Sequence, residues 1–178
     1  MSYKDFEITH STIIPDVLII KPSISWDSRG NIFSSYNADF YNEFLSQKLN
    51  FKHDKFALSK HNVLRGLHGD SKTWKLVSCV YGEILEVVVD MRPDSPTYMK
   101  WDSFDLKADE YRQILIPPMF VNGYYVKSEN ALFHYKLAYD GDYIDAGEQM
   151  TFSWDDERFN IKWGCTNPIL QARDNINR

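Results

Sequence analysis

Lys75-Leu-Val-Ser-Cys-Val-Tyr-Gly-Glu-Ile-Leu-Glu-Val-Val-Val-Asp90 is the clearest β-rich stretch of the chain. It contains two apolar runs, 75–80 and 84–90, on either side of Tyr81-Gly82-Glu83, which predicts two strands joined by a hairpin-like turn. The second run is rich in β-branched residues and too short for a typical helix. Arg92-Pro-Asp-Ser-Pro96 follows soon after, and its prolines exclude a central strand there.

Further short extended segments lie on both sides of this pair. The run 56–64 precedes it, and proline, glycine, asparagine or aspartate residues separate most of the segments after it. The later predicted strands cover residues 98–106, 113–116, 123–127, 131–138 and 149–153. Short strands at regular spacing predict a β-sandwich or a closed barrel, and a small barrel can hold one ligand in its mouth.

One helix is predicted near the beginning of the chain, at residues 38–48. It begins near Asn37 or Ala38, and Phe40, Phe44 and Leu45 form its apolar face.

Composition limits the class of protein. The chain has 178 residues, of which 43% are hydrophobic and 25% charged, so we expect a single globular domain over residues 1–178. The net charge of −5 argues against a nucleic-acid partner. There is no apolar run long enough to span a membrane and no signal-peptide pattern. Cys79 and Cys165 have no recognisable pairing, which favours a reduced protein in the cytoplasm.

Most kinds of catalytic motif are missing. His68 is followed by Gly69 and Asp70, and the other four histidines do not complete a metal-ligand spacing, so we expect no metal site. Glycine-rich phosphate loops and the Gly-x-Ser-x-Gly motif do not occur either. Acid–base chemistry remains, because Arg65-Gly66-Leu67-His68 places an imidazole near a guanidinium.

Several polar residues of the extended segments are candidates for that chemistry. Each of them also has a structural interpretation as a packed or solvated side chain, and spacing alone does not bring them together. They are Arg65, His68, Lys75, Tyr135, Lys136 and Asp174.

An ordered series of motifs over residues 27–174 resembles the dTDP-4-dehydrorhamnose 3,5-epimerase family. No single motif is specific, but their order is. The series is Val63-Leu-Arg-Gly-Leu-His68, Trp74-Lys-Leu-Val77, Tyr81-Gly-Glu-Ile-Leu-Glu-Val-Val-Val-Asp-Met-Arg92, Asp94-Ser-Pro-Thr97, Lys100-Trp101, Arg112-Gln-Ile-Leu-Ile-Pro117, Phe120-Val-Asn-Gly-Tyr-Tyr-Val126, Phe133-His-Tyr-Lys136, Trp154-Asp-Asp156 and Pro168-Ile-Leu-Gln-Ala-Arg-Asp174.

The resemblance implies an all-β fold, a cupin jelly-roll barrel (a double-stranded β-helix) with a few short helices. It implies a homodimer that uses no metal and no cofactor and epimerises a nucleotide-linked 4-keto sugar. By matched position, His68 is the general base, Asp174 orients it, and Tyr135 is the proton donor on the other face of the sugar. Lys75 and Arg65 are the cations beside the 4-keto oxygen and the diphosphate.

The remaining matched positions concern substrate binding. Arg29 corresponds to an arginine that reaches the nucleotide of the neighbouring subunit, and Arg173 stands where the family often has a lysine near the substrate. The chain departs from the family at His53-Asp54-Lys55, at Ser34, at Asn122 in place of a histidine, and in a longer loop at 140–148. Because His53, Lys55 and Asn122 are expected to face the nucleotide or the sugar, the departures favour a different substrate.

The expected function is therefore inversion of C3, or of C3 and C5, in a GDP-4-keto-heptose for capsule or lipopolysaccharide synthesis. Three alternatives remain open. One is the dTDP-4-dehydrorhamnose 3,5-epimerase reaction itself, one is a nucleotide-sugar 3,4-ketoisomerase on the same barrel, and one is a barrel that binds sugar without catalysis. The fold alone does not distinguish them.

Overall fold

The computed structural model describes residues 6–45 and 47–175, and almost all of its regular structure is β. The strands are β1 Phe6–His10, β2 Leu18–Pro22, β3 Ile24–Asp27, β4 Gly30–Phe33, β5 Phe51–Lys60, β6 Leu64–Gly69, β7 Trp74–Tyr81, β8 Glu83–Asp90, β9 Trp101–Lys107, β10 Gln113–Ile116, β11 Phe120–Val126, β12 Asn130–Ala138 and β13 Met150–Thr151. The helices are α1 Ala38–Phe44 and two 3₁₀ turns, Ala108–Glu110 and Ala172–Asp174.

Two antiparallel sheets form the jelly-roll barrel. One has the strand order β1-β2-β10-β7-β12-β5 and the other β13-β6-β11-β8-β9, while β3 and β4 form a separate hairpin. The core between the sheets contains Val77, Ile114 and Phe133 from the first sheet and Val88 and Phe120 from the second. The expected all-β cupin jelly-roll fold with short helices is therefore confirmed.

The outer faces of both sheets are also covered. Tyr41 of α1, which is 1% exposed, packs on Ile20 and Leu76 of the six-stranded sheet. Trp154 and Trp163 from the segment after β13 pack on the five-stranded sheet. Because β7 and β8 are buried on both faces, they read as continuous apolar runs and not as alternating ones.

The predicted hairpin between β7 and β8 is wrong. Both strands exist, but β7 pairs with β10 and β12, whereas β8 pairs with β11 and β9. The turn at Gly82 carries the chain from one sheet to the other. Gly82 has a φ of +81°, and a Cβ there would lie 2.2 Å from the carbonyl oxygen of Asn130, so only glycine fits.

The other differences concern ends and edges. The predicted helix 38–48 stops at Phe44; Asn37 caps its start, Phe44 is 45% exposed, and Ser46 lies outside the described residues. The run 56–64 is two strands, because the chain turns at Asn62, which has a φ of 65°. Strands β1 to β4, which include the edge strand β1 and the separate hairpin, were not predicted.

Candidate active site

A pocket of about 330 Å³ opens into the barrel between the two sheets. Both sheets and the segment after β12 contribute to its wall. Arg65, His68 and Asn122 come from the five-stranded sheet, and Lys75 and Tyr135 come from the six-stranded sheet. The loop residues that line it are Tyr143, Asp145, Ala146 and Gln149.

Strand β6 is irregular where it presents Arg65 and His68. In a regular strand, residues three apart point to opposite faces, yet both of these side chains line the pocket. Gly66 has a φ of +127°, and its α-carbon lies so close to β11 that a Cβ would be 2.4 Å from the α-carbon of Gly123. The register of β6 against β11 shifts at the same point, between Asn122 and Tyr124, which turns the guanidinium and the imidazole to one side.

His68 and Asp174 form a hydrogen-bonded pair at the pocket wall. Nε2 of His68 lies 2.7 Å from Oδ1 of Asp174, which is 0% exposed on the 3₁₀ turn near the end of the chain. Nδ1 of His68 has no hydrogen-bond partner within the described residues. The carboxylate therefore orients the ring, and the buried Nδ1 is the ring nitrogen left without a partner.

Lys75 is buried beside His68. Its Nζ donates to the backbone oxygen of His68 at 2.8 Å and to Oδ1 of Asn122 at 2.6 Å. Burial lowers the pKa of Lys75 to about 8, while the charges of Asp70 and Glu86 act to raise it. An ammonium that is already desolvated interacts strongly with negative charge that develops next to it.

Tyr135 lies on the opposite sheet from His68. Its ring packs edge-on against Phe133 with centroids 4.5 Å apart. Burial raises the pKa of Tyr135 well above its usual value, and the nearby Arg65 lowers it only in part, so the phenol keeps its proton at neutral pH. Nε of Arg65 donates to Oγ of Ser59 at 3.0 Å, which fixes the guanidinium on the same side of the pocket.

Asn122 lines the pocket, but its amide is bonded to protein groups at both ends. Its oxygen accepts from Lys75, and its nitrogen donates to Oε1 of Glu86 at 2.7 Å. Asn122 was predicted to face the substrate. It does line the pocket, but both ends of its amide are also bonded to neighbouring side chains. Glu86 is 0% exposed and was missed, although a glutamate inside the apolar run of β8 was a visible signal.

Lys55 and Arg173 also line the pocket, whereas His53 does not. Nζ of Lys55 lies 3.0 Å from the hydroxyl of Tyr143 and 4.2 Å from its ring centre. His53 packs edge-on against the same ring, with centroids 5.1 Å apart, so in this structure it supports the loop. Arg173 donates to Oε1 of Gln149 at 3.0 Å.

Arg29 lies outside the pocket of its own chain. It is on the turn between β3 and β4, where its guanidinium pairs with Asp27 at 2.6 Å and its side chain is 88% exposed. The structure therefore brings His68, Asp174, Lys75, Tyr135, Arg65, Asn122, Lys55 and Arg173 together, and it leaves Arg29 and His53 outside that group.

Two absences within the described part of the chain bear on the class of site. Over residues 6–45 and 47–175, no three His, Cys, Asp or Glu side chains come together in a way that could hold a metal ion. No helix in that part of the chain is long and apolar enough to cross a membrane.

Comparison with known proteins agrees with the site. A sequence profile of the dTDP-4-dehydrorhamnose 3,5-epimerase family matches residues 11–178. The dTDP-4-dehydrorhamnose 3,5-epimerase of Salmonella typhimurium is 40% identical and covers 94% of this chain and 92% of its own length. The enzyme of that name from Escherichia coli K12 is 36% identical over 89% of this chain and 86% of its own.

Solved structures give the same result. The Legionella pneumophila dTDP-6-deoxy-D-glucose-3,5-epimerase, in complex with dTDP-4-keto-L-rhamnose, superposes with a TM-score of 0.88 at 35% identity, covering 96% of this chain and 90% of that one. The Bacillus anthracis dTDP-4-dehydrorhamnose 3,5-epimerase, with TDP and pyrophosphate bound, has a TM-score of 0.88 at 30% identity, covering 97% and 98%. The chain therefore belongs to the dTDP-4-dehydrorhamnose 3,5-epimerase family, and it is an isomerase of the epimerase type.

Proposed function

We propose that this chain inverts a carbon next to the carbonyl of a nucleotide-diphosphate-linked 4-keto sugar. The observation that carries the proposal is the placement of proton-transfer groups on two sheets. The His68–Asp174 pair is on one wall, Tyr135 is on the other, and the Lys75 ammonium is beside His68. Inversion needs a base on one face of the sugar and an acid on the opposite face.

The proposed reaction has two proton transfers. The imidazole of His68 takes the proton from the carbon next to the ketone, and the C–H electron pair forms an enolate whose charge is on the 4-oxygen. Lys75 stabilises that oxygen, because it supplies positive charge where negative charge develops. The phenol of Tyr135 then gives its proton to the opposite face, which restores the ketone with inverted configuration. Each acid–base step contributes roughly 10²- to 10⁴-fold.

The first candidate substrate is a dTDP-4-keto-6-deoxyhexose. The relatives and solved structures named above carry dTDP sugars in their names, at up to 40% identity. The reaction would then invert both C3 and C5.

A GDP-4-keto-heptose is the second candidate, because the pocket wall differs from the family pattern. Lys55 adds a cation and the Tyr143 loop forms much of one side of the pocket. Asn122 is shorter than the usual histidine and leaves more room for a longer sugar. In this case the enzyme inverts C3, or C3 and C5, for capsule or lipopolysaccharide synthesis.

The substrate phosphates are expected to bind to the cations of the pocket. Arg65, Lys55 and Arg173 supply positive charge along its wall, and arginine grips phosphate with two parallel donors. His53 contributes through Tyr143, whose ring it supports.

We also propose that the enzyme is a homodimer in which Arg29 reaches the partner's nucleotide. Arg29 projects from the β3–β4 hairpin, whose Trp26 and Ile32 are 67% and 72% exposed. Strand β5 is an edge strand, and its Phe56 and Leu58 are 62% and 68% exposed. Large apolar side chains in such positions favour contact with a second copy. Light scattering that gives a monomer mass at working concentration would contradict the dimer.

The proposed enzyme acts as one domain in the cytoplasm, and it uses no metal or cofactor.

One experiment tests the reaction and separates the substrates. The protein is incubated in D₂O with the dTDP-4-keto-6-deoxyhexose and, separately, with the GDP-4-keto-heptose, and NMR follows deuterium at C3 and C5. Exchange and inversion with either sugar support the epimerase. A carbonyl moved to C3 would indicate a ketoisomerase, and binding without exchange would indicate a non-catalytic barrel.

A further inference from the structure

Glu86 is a buried carboxylate to which the reaction above assigns no role. It lies in the middle of β8, is 0% exposed, and has one oxygen bonded to Asn122 at 2.7 Å. Its other oxygen has no hydrogen-bond partner within the described residues. A buried acid costs several kcal/mol unless it is neutral or compensated by charge. Its presence in an otherwise apolar run points to a role for the groups it contacts.

Asn122 connects this carboxylate to Lys75. An amide has one end that donates and one that accepts, so its orientation is decided by its partners. When Glu86 is ionised, its carboxylate accepts hydrogen bonds and cannot donate them. It therefore holds the NH₂ group of Asn122 toward itself and turns the amide oxygen toward Lys75. Without that anion, the amide oxygen is held toward Lys75 by the ammonium alone, which has three donors and no acceptor.

We propose that Glu86 is a positioning residue for this reaction: through Asn122 it holds Lys75 in place and keeps its ammonium charged beside the substrate carbonyl. The inference rests on the proposed function of the pocket. Glu86 does not line the pocket and acts only through its neighbours.

Other groups also face the pair and belong in the charge balance. Around Lys75, Asp70 and Glu86 favour the ammonium and Arg173 opposes it. The adjacent strands place apolar residues opposite Lys75 and aromatic residues opposite Glu86. These are Leu137 and Ile116 for Lys75, and Tyr124 and Phe104 for Glu86, with Tyr135 also within electrostatic reach of Glu86.

Charge coupling makes the effect depend on pH. Burial raises the pKa of Glu86 to about 8, and burial lowers that of Lys75 to about 8. As the pH rises, the carboxylic acid ionises next to the ammonium, and the resulting anion delays loss of the proton from Lys75. Removal of the anion therefore lowers the pKa of Lys75, and the consequence is greatest at alkaline pH.

Glu86→Gln tests this, because glutamine has the same shape and can still accept from Asn122 but carries no charge. We expect its kcat/KM to stay within about threefold of wild type near pH 6, where Glu86 is protonated, and to fall at least about tenfold near pH 9. The fall should be in kcat more than in KM. An equal loss at every pH would overturn the proposal, because a purely structural role does not depend on ionisation.

A second measurement is independent of turnover. Lysine labelled with ¹³C at Cε reports the titration of each ammonium by NMR, and the Lys75 signal is identified by its absence in Lys75→Met. We expect the Lys75 midpoint to lie lower in Glu86→Gln than in wild type, by about one unit. An unmoved midpoint would overturn the proposal even if both candidate sugars prove inert. A shifted midpoint without activity on any 4-keto sugar would instead count against the proposed function.

Two further variants complete the design. Asp90→Asn removes another buried carboxylate of β8, which pairs with Arg92 and does not line the pocket, so we expect it to leave the Lys75 midpoint unchanged. Asn122→Ala breaks the bridge itself. If Glu86 acts through Asn122, the double variant loses clearly less than the sum of the two single losses. Strict additivity would overturn the bridge.

Discussion

The barrel interior and the loop after β12 hold their polar groups in different ways. Inside the barrel, Lys75, Asn122 and Glu86 bond to one another at 2.6–2.7 Å and are at most 7% exposed. The strands that carry them are paired on both sides. Such groups have little freedom to move. This suits a reaction in which negative charge develops on one substrate atom and a positive group must already lie beside it.

The loop at 140–148 is instead attached by long flexible side chains. Lys52 donates to the carbonyl of Gly141 at 3.0 Å, Lys72 donates to that of Asp142, and Lys55 holds Tyr143. Most loop residues are exposed. Exposed contacts of this kind are weak and easily remade. We therefore expect the proposed proton transfers to depend on the paired strands and the choice of substrate to depend more on the loop.

The largest expected effect comes from His68→Asn in the rigid region. Asparagine can still donate to Asp174, so the fold is kept, but no base remains. We expect deuterium exchange at C3, and at any second position, to fall by at least about 10³-fold. His134→Asn is the matched control, because His134 also pairs with an aspartate, Asp54 at 2.8 Å, but does not line the pocket. Near wild-type exchange in His68→Asn would show that the base is another group.

Tyr135→Phe should separate the two proton transfers. The base on the other sheet remains, so exchange persists in part while net inversion falls by about 10²-fold or more. NMR in D₂O measures both, and deuterium should enter faster than product forms. Tyr125→Phe is the control, because its hydroxyl bonds to Asn62 away from the pocket. Equal loss of exchange and inversion would argue against Tyr135 as the donor.

Lys55→Ala tests the loop region, and here a change in specificity is expected. The variant loses both a pocket cation and the contact with Tyr143, so KM should rise about tenfold while kcat changes little. The ratio of kcat/KM for the two candidate sugars should also move. Lys52→Ala is a close control, because Lys52 also holds the loop but does not line the pocket. If both variants change KM and the kcat/KM ratio to the same extent, Lys55 supports the loop and does not contact the substrate.

Chelation should have the smallest effect. We expect exhaustive treatment with a chelator to leave kcat/KM unchanged, because Lys75 is proposed to stabilise the enolate oxygen and Arg65 to bind the diphosphate. Loss of activity that one divalent ion restores would contradict a mechanism without metal.

Individual elements and residues show which features of the fold and the site could be predicted from the sequence. An all-β sandwich or barrel and most central strands followed from short apolar runs between turn residues, whereas the cupin jelly roll was implied by the resemblance to the family. The hairpin at Gly82 was wrong, because a turn motif does not tell whether the next strand pairs with the last one or crosses to another sheet. Strands β3 and β4 were missed, since they are largely exposed and lack an apolar run. Arg29 and His53 were assigned to binding by position, and their side chains lie outside the pocket of this chain.

The family and the set of reactive groups could be assigned from residue types alone, because the motifs and their order are visible in the chain. Which of these groups lie close together depends on the folded structure. His68 and Asp174 are far apart along the chain, yet their side chains come within 2.7 Å because the C-terminal segment runs back to β6 through the Val63–Ile169 bridge. Glu86, which looked like one polar residue in an apolar strand, acquired its link to Lys75 only when β7, β8 and β11 came together around Asn122. Such pairings depend on strand order and register, which residue types alone do not specify.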